Sequence, residues 1–208
     1  YEPPAKAYYF RQSAFSRYNG RRMVPTLDLE VDRDVFRFHP SAKRHADWIP
    51  PRGYRIEVKT TVALLQDHVS PFILESAIDV APSKNPSPRR FRRTYSATSM
   101  AVDMALLDLV GFSVGDPTWS PEVRALYVEA PEDPRYRQLV EQWIALLPQE
   151  FRNEPIAKTA IIIDELGRRG TYSLRSRHSK APDPTASFLF GDLTGYCVHF
   201  AHAAVYLL

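Results

Sequence analysis

Proline is the residue that most restricts the fold of this 208-residue chain, which contains 18 prolines and only eight glycines. Each proline removes a backbone N–H and fixes φ, so the interior of a helix or of a central strand seldom contains one. Prolines spread along the sequence therefore predict stiff loops and short elements, closer to an irregular β-rich architecture than to a bundle of long helices. Hydrophobic residues make up 44% of the chain, which is enough for a sizeable core.

The composition excludes only a few kinds of site. A net charge of +3 neither favours nor rules out a polyanionic partner. The single cysteine excludes an intrachain disulfide and a CxxC metal site. No stretch approaches the ~20 apolar residues of a membrane span, and no signal peptide is visible at Tyr1. Because the final residues run in the middle of an apolar helical pattern, we expect the sequence to belong to a longer protein.

The region from residue 8 to about residue 128 has the patterns of strands and turns. Asn19-Gly20 is a strong signal for a hairpin turn. Apolar and polar residues alternate over 54–62, with the period of two that is typical of a half-buried strand. Further strands are predicted around 72–74 and 95–99, and we expect an N-terminal β-rich, sandwich-like module over residues 1–130.

The pattern becomes helical after residues 131–134. Six apolar residues then recur at the spacing of one helix face: Tyr136, Leu139, Val140, Trp143, Ile144 and Leu147. A second helix is predicted from Pro155, because proline is tolerated in the first turn. A short strand at 171–174 and a terminal helix follow. The sequence therefore predicts an α+β fold, with a second module over residues 131–208.

Cys197 lies where the terminal helix is predicted to begin. Gly195 precedes it, and apolar residues continue at helical spacing to Leu207. In the first turn of a helix, free backbone N–H groups and the positive end of the dipole stabilise a thiolate and can also hold an oxyanion. The alternative is a structural cysteine on an apolar helix face, since free cysteine is among the most buried residue types. Spacing alone leaves both interpretations open.

Four short motifs follow one another in the last 40 residues: Tyr172-Ser173-Leu174, Asp183-Pro184, Phe188-Leu189-Phe190, and Gly195-Tyr196-Cys197 with His199-Phe200-Ala201. Together they resemble the bacterial transglutaminase-like superfamily, which has a papain-like thiol fold. The chain looks most like membrane-anchored proteins whose transglutaminase core lies outside the cytoplasmic membrane. The likeness is strong over residues 134–208 and looser over 9–21. Two positions depart from the family pattern, with Val198 where glutamate is frequent and Met23 where tryptophan is usual.

The resemblance implies a cysteine enzyme in which Cys197 attacks an amide carbonyl and forms a thioester, for acyl transfer or hydrolysis. Tyr196 and His199 would stabilise the oxyanion or would position the nucleophile without contacting the substrate. It also implies an extracytoplasmic, membrane-anchored parent that acts on a protein, a peptide or a cell-envelope polymer, with no cofactor and no nucleic-acid partner. Residues 131–208 would form the helical first half of a papain-like core.

In this family the catalytic His and Asp follow the cysteine helix, whereas this sequence continues from Cys197 only to Leu208. We therefore expect both residues to lie beyond Leu208 and the fragment itself to be inactive. His199 and His202 would lie about 200° and 140° around the helix from Cys197, so neither is expected to pair with it. The same geometry argues against a metal site formed by these three residues.

Two charged segments carry weaker predictions. The basic run 89–93 is interpreted as a solvated loop or strand edge, with contact to an anionic polymer as the alternative. Asp28, Glu30, Asp32 and Asp34 alternate like one solvated strand face, with a cation site as the alternative.

The second functional hypothesis is a non-enzymatic binding or scaffolding module of the cell envelope with a degenerate thiol site. If the strands that follow the cysteine helix are absent, we expect that helix to expose an apolar face, formed by Phe200, Ala204, Leu207 and Leu208.

Overall fold

The structure, a computed structural model, describes residues 8–26, 31–46, 50 and 53–208, with the backbone alone at 106 and 107. Its contacts divide the chain into two compact units. The strand-rich unit comprises Tyr1–Phe15 and Pro25–Met104, and the helical unit comprises Ser16–Val24 and Ala105–Leu208. The module boundary that the sequence predicts after residue 130 stays a prediction.

The elements follow one another along the described residues in a mixed order. The strands are β1 (Phe10–Arg11), β2 (Arg17–Tyr18), β3 (Met23–Val24), β4 (Arg44–His45), β5 (Arg55–Leu64), β6 (Ile73–Leu74), β7 (Ala77–Pro82), β8 (Arg93–Val102), β9 (Thr171–Tyr172) and β10 (Thr194–Gly195). The α-helices are α1 (Pro121–Tyr127), α2 (Pro134–Ile144), α3 (Pro155–Arg169), α4 (Pro184–Leu189) and α5 (Cys197–Leu207). The predicted α+β class is thus confirmed.

The strand-rich unit is built on a four-stranded antiparallel sheet in the order β4-β7-β8-β5. The predicted alternation is clearest in the first part of β8, where Tyr95, Ala97 and Ser99 are buried and the residues between them are half-buried. The Tyr95 hydroxyl donates to the carbonyl of Phe72 at 3.0 Å and accepts from its N–H at 2.8 Å. The strand-rich unit also contains the short antiparallel β1-β6 ladder. The sandwich-like arrangement stays a prediction.

Four of the five helices begin with a proline, which explains how a proline-rich chain remains helical. In α1, α2 and α4 the preceding Ser120, Asp133 or Asp183 accepts hydrogen bonds from backbone N–H groups of the first turn. The prediction of strands and turns up to residue 128 is wrong at α1. That helix is too short to reveal its periodicity, although Ser120-Pro121 is a helix-start signal.

The β2-β3 hairpin packs on the helices, which is why it belongs to the helical unit. Tyr18 meets Tyr206 edge to face at 5.3 Å, and Met23 is buried beside it. The core of this unit consists of Tyr18, Met23, Tyr136, Trp143, Ile162, Leu166, Ala186, Phe188, Leu189, Ala203, Tyr206 and Leu207. The expectation that Leu207 is exposed is therefore wrong, because it faces this core. Leu208 is exposed, and Phe200 and Ala204 are half-buried.

In the part of the chain that the structure describes, no helix has both the length and the apolar character to cross a membrane.

Candidate functional site

The first residue of α5 is Cys197, and its thiol is exposed. The strand β10 leads directly into this helix, because Tyr196 between them has an extended backbone with φ −120° and ψ −179°. β10 pairs in parallel with β9, and the carbonyl of Gly195 accepts a hydrogen bond from Ser173 N–H at 2.6 Å. Cys197 is thus presented at a strand-to-helix turn and is not buried in the core.

The side chain of His199 stabilises this turn from the buried side. It is only 6% exposed, and its Nδ1 atom accepts a hydrogen bond from the backbone N–H of Tyr196 at 3.2 Å. A Cβ atom at Gly195 would lie 2.9 to 3.0 Å from three atoms of His199. The glycine before Tyr-Cys is therefore required for the imidazole to reach the helix start.

A second histidine, His178, lies next to His199 with ring centroids 5.3 Å apart. Its Nε2 atom is 2.9 Å from the carbonyl oxygen of Thr194, so this nitrogen carries a proton and donates it. Its Nδ1 atom is 2.9 Å from the hydroxyl of Ser187. The two buried imidazoles thus tie β10 and α4 to the start of α5.

Burial and neighbouring positive charge favour the neutral form of the two histidines of α5. Burial lowers the pKa of His199 below its ordinary value, and the nearby His178 and His202 lower it further. The pKa of His202 is also lowered by burial, and then by the positive charge of Arg22. A neutral His199 can accept at Nδ1, whereas an imidazolium cannot.

Within the described residues, the thiol of Cys197 makes no hydrogen bond or ion pair, and neither His199 nor His202 is bonded to it. His199 points into the core, and His202 stacks on Tyr206 at 5.9 Å. Because the backbone N–H of Tyr196 is bound to His199, the N–H groups left in the first turn are those of Cys197 and Val198.

The Asp-Pro motif has a structural role in the helical unit. The Asp183 carboxylate accepts from the backbone N–H groups of Thr185 and Ala186 at 2.9 and 2.8 Å, which caps α4. Its other oxygen accepts from the Tyr136 hydroxyl at 3.0 Å. Burial, followed by the charge of Asp183, raises the pKa of Tyr136, so this hydroxyl remains a donor.

Aromatic side chains pack against Phe200 of α5. Phe188 is fully buried and lies 5.0 Å from the ring of Phe200. Phe200 also packs on Gly170, where a Cβ atom would come within 2.4 Å of the ring. Tyr172 stacks over Phe200 with a centroid distance of 6.5 Å. The motifs that the sequence analysis singled out therefore converge on α4, β9, β10 and the start of α5.

The charged segments show no further site among the described residues. Asp34 pairs with Arg11 and accepts from the Ser76 N–H at 2.9 Å, whereas Asp28 and Glu30 lie outside the described residues. Three or more potential ligands for a metal ion do not converge anywhere in the described ranges. In the basic run, Arg93 pairs with Asp67 at 2.9 Å.

Sequence reasoning missed two residues of this region. His178 lies between the predicted strand at 171–174 and the predicted terminal helix, and no periodicity distinguishes it from its neighbours. Arg22 follows the Asn19-Gly20 turn signal, which indicates where the hairpin bends but not what its tip faces.

Comparison with known proteins shows a likeness of fold. No family model matches the chain, and neither does any curated protein. Two similar crystal structures are of the periplasmic domain of TgpA from Pseudomonas aeruginosa. The one bound to ethylmercury has a TM-score of 0.52 and 20% identity, and the other has 0.50 and 19%. Both matches cover 100% of this chain, and 68% and 66% of the TgpA chains.

Proposed function

We propose that this chain carries the nucleophile of a transglutaminase-like cysteine enzyme, and that Cys197 is that nucleophile. The observation that carries the proposal is an exposed thiol on the first residue of α5, at a turn held by the buried His199. A structural cysteine has no need for this position, whereas a thiolate is stabilised there by free N–H groups and the helix dipole.

The proposed reaction begins when the thiol proton passes to a base and the sulfur attacks the carbonyl carbon of an amide. The carbonyl oxygen becomes an oxyanion, which the N–H groups of Cys197 and Val198 are placed to stabilise. The C–N bond then breaks, the leaving amine takes the proton from the base, and a thioester remains on Cys197. An incoming amine or water attacks this thioester and regenerates the thiol.

The base is not one of the three histidines of the helical unit. His178 is bonded to Thr194 and Ser187, and His199 is bonded to Tyr196. His202 stacks on Tyr206. In the family that the sequence resembles, the base and its orienting Asp come from strands after the cysteine helix. We extend the proposal to that arrangement, and expect residues 1–208 alone to react at Cys197 without turning over.

We also propose the core fold, the location and the substrate class of the protein. The helical unit would be the first half of a papain-like core, and the chain would act outside the cytoplasmic membrane as part of a membrane-anchored protein. Its substrate would be a peptide, a protein or a cell-envelope polymer. The fold that it shares with the periplasmic domains of TgpA supports the extracytoplasmic location.

Alkylation of the single cysteine by iodoacetamide tests the nucleophile. Intact-mass spectrometry would follow the rate for the folded protein and for the protein unfolded in urea, with glutathione as the free-thiol reference. We expect the folded protein to react about tenfold faster than glutathione at neutral pH, and the unfolded protein to match glutathione. Equal rates in the folded and unfolded states would favour the binding-module hypothesis instead.

A further inference from the structure

A cleft of about 360 Å³ opens in the helical unit beside the cysteine. Tyr196 and Val198, the neighbours of Cys197 on both sides, form part of its wall. The tip of the β2-β3 hairpin also lines it. The other residues that line the cleft are Asn19, Arg21, Arg22, Ser179, Pro184, Thr185, His199 and His202.

The two arginines of the hairpin tip differ in what they contact. The guanidinium of Arg21 donates to the carbonyl oxygens of Ser179 and Ala181 at 2.9 and 3.3 Å, so it fastens the hairpin to the neighbouring loop. The guanidinium of Arg22 has no hydrogen bond or ion pair to any described residue, although its backbone N–H is bound to Asn19 at 2.9 Å. Among the described residues, the backbone of Arg22 is therefore held in place while its guanidinium stays unpaired.

The cleft presents positive charge and hydrogen-bond donors, and none of its lining residues is acidic. Arg22 and His202 both line the cleft, and the positive charge of Arg22 contributes to the lowered pKa of His202. Two hydroxyl-bearing residues, Thr185 and Tyr196, are also among the lining residues. A planar guanidinium is well suited to carboxylate and phosphate groups, which it can bind through two parallel hydrogen bonds.

We propose that this cleft binds an oxyanion group of the substrate, a carboxylate or a phosphate, with Arg22 as the residue that determines specificity. The identification of the ligand as part of the substrate rests on the proposed function. A substrate held there would present the group next to its anion to the exposed thiol of Cys197. The enzyme would accordingly prefer acyl groups that carry a negative charge close to the reactive amide.

The test is a titration of the Cys197→Ser protein followed by NMR of backbone and arginine side-chain N–H signals. Glutarate and inorganic phosphate are the probes, and glutaramide is the uncharged analogue of glutarate. We expect at least one anion to shift the signals of the hairpin tip and of α5, with no shift from glutaramide. Tighter binding of glutarate would assign a carboxylate, and tighter binding of phosphate would assign a phosphate group.

Arg22→Gln is the informative variant, and Arg17→Gln is its matched control. Arg17 is an exposed arginine of the same hairpin that does not line the cleft. We expect Arg22→Gln to weaken binding about tenfold and Arg17→Gln to leave it unchanged. Absence of binding by both anions, binding of glutaramide, or equal losses in the two variants would overturn the proposal.

The outcome of this titration does not depend on the proposed function, because anion binding is measured on a protein that lacks the thiol. If Cys197 proves unreactive while the anion titration responds to Arg22→Gln, the anion site stands and the thiol chemistry does not. If Cys197 is activated and no anion binds, the thiol chemistry stands and the anion site does not.

Discussion

The Nδ1 atom of His199 accepts a hydrogen bond from the backbone N–H of Tyr196, 3.2 Å away, and so closes the first turn of the helix that begins at Cys197. The imidazole is buried against Gly195 and His178. In this position the imidazole caps the helix and holds the turn that carries Cys197.

Replacement of this histidine tests the support directly. We expect His199→Ala to lower the free energy of unfolding by about 2 kcal/mol, because it leaves the Tyr196 N–H unpaired and removes a buried ring. The alkylation rate of Cys197 should fall as well, since the start of α5 loosens. Urea unfolding and intact-mass alkylation are the measurements.

His45→Ala is the control, because His45 is exposed and its pairing with Asp79 is a surface contact. We expect it to change stability by less than about 0.5 kcal/mol and to leave the alkylation rate unaltered. Equal effects of the two variants would contradict a supporting role for His199.

The same histidine makes stability depend on pH. Burial, with the charges of His178 and His202, holds the folded-state pKa of His199 below the ordinary 6.5. Its contribution is therefore fully present above pH 6.5 and is lost as the pH falls through the folded-state pKa, because the unfolded chain binds the proton first. His202, whose pKa is also lowered, acts in the same direction.

The measurement is urea unfolding from about pH 7 to about pH 5, for the native protein and for His199→Ala. The groups that face His199 are His178, Tyr196 and Ser176, and Asp192 lies 3.3 Å from His178. We expect the loss of stability on acidification to be smaller in the variant. Identical pH profiles would show that His199 does not titrate in this range.

Gly195 should tolerate no side chain. A Cβ atom there would approach His199 to within 2.9 Å, so we expect Gly195→Ala to destabilise the protein by about 1–3 kcal/mol and to disturb the start of α5. Gly167→Ala is the matched control, because that helical glycine has nothing within 4 Å of a new Cβ. It should stabilise α3 by about 0.5–1 kcal/mol. Thermal unfolding compares the two, and a neutral Gly195→Ala would refute the close packing.

The Tyr136–Asp183 hydrogen bond is expected to couple α2 to α4. Tyr136→Phe should cost about 1 kcal/mol, and Asp183→Ala about 2 kcal/mol because it also removes the cap of α4. A double-mutant cycle should give a coupling of about 1 kcal/mol. Tyr172→Phe is the control, since Tyr172 is 64% exposed and should change stability little. Strict additivity would mean that the hydrogen bond contributes nothing.

Periodicity predicted the regular elements of this chain well where the pattern was long. The alternation over 54–62 became β5, and the apolar face from Tyr136 became α2. The α1 helix was missed because seven residues span only two turns. The hairpin at Asn19-Gly20 was predicted, but its place among the helices depends on Tyr18 meeting Tyr206, which is a tertiary contact that no local pattern encodes.

The candidate site was predictable only in part, for a similar reason. Helical spacing placed Cys197 in a first turn and turned His199 and His202 away from it. The exposure of the thiol, the pairing of His199 with His178, and the position of Arg22 in the cleft all depend on how separate elements pack. Such contacts join residues distant in sequence, so spacing does not reveal them.

Acylation of Cys197 by p-nitrophenyl acetate tests the central claim most directly, because the activated ester needs no proton donor for its leaving group. The account predicts that the folded protein gains one acetyl group on Cys197 as a thioester, which hydroxylamine removes. It also predicts that Cys197→Ser and the urea-unfolded protein do not gain this group at a comparable rate. If the folded protein is acetylated no faster than the unfolded protein, Cys197 is not an activated nucleophile.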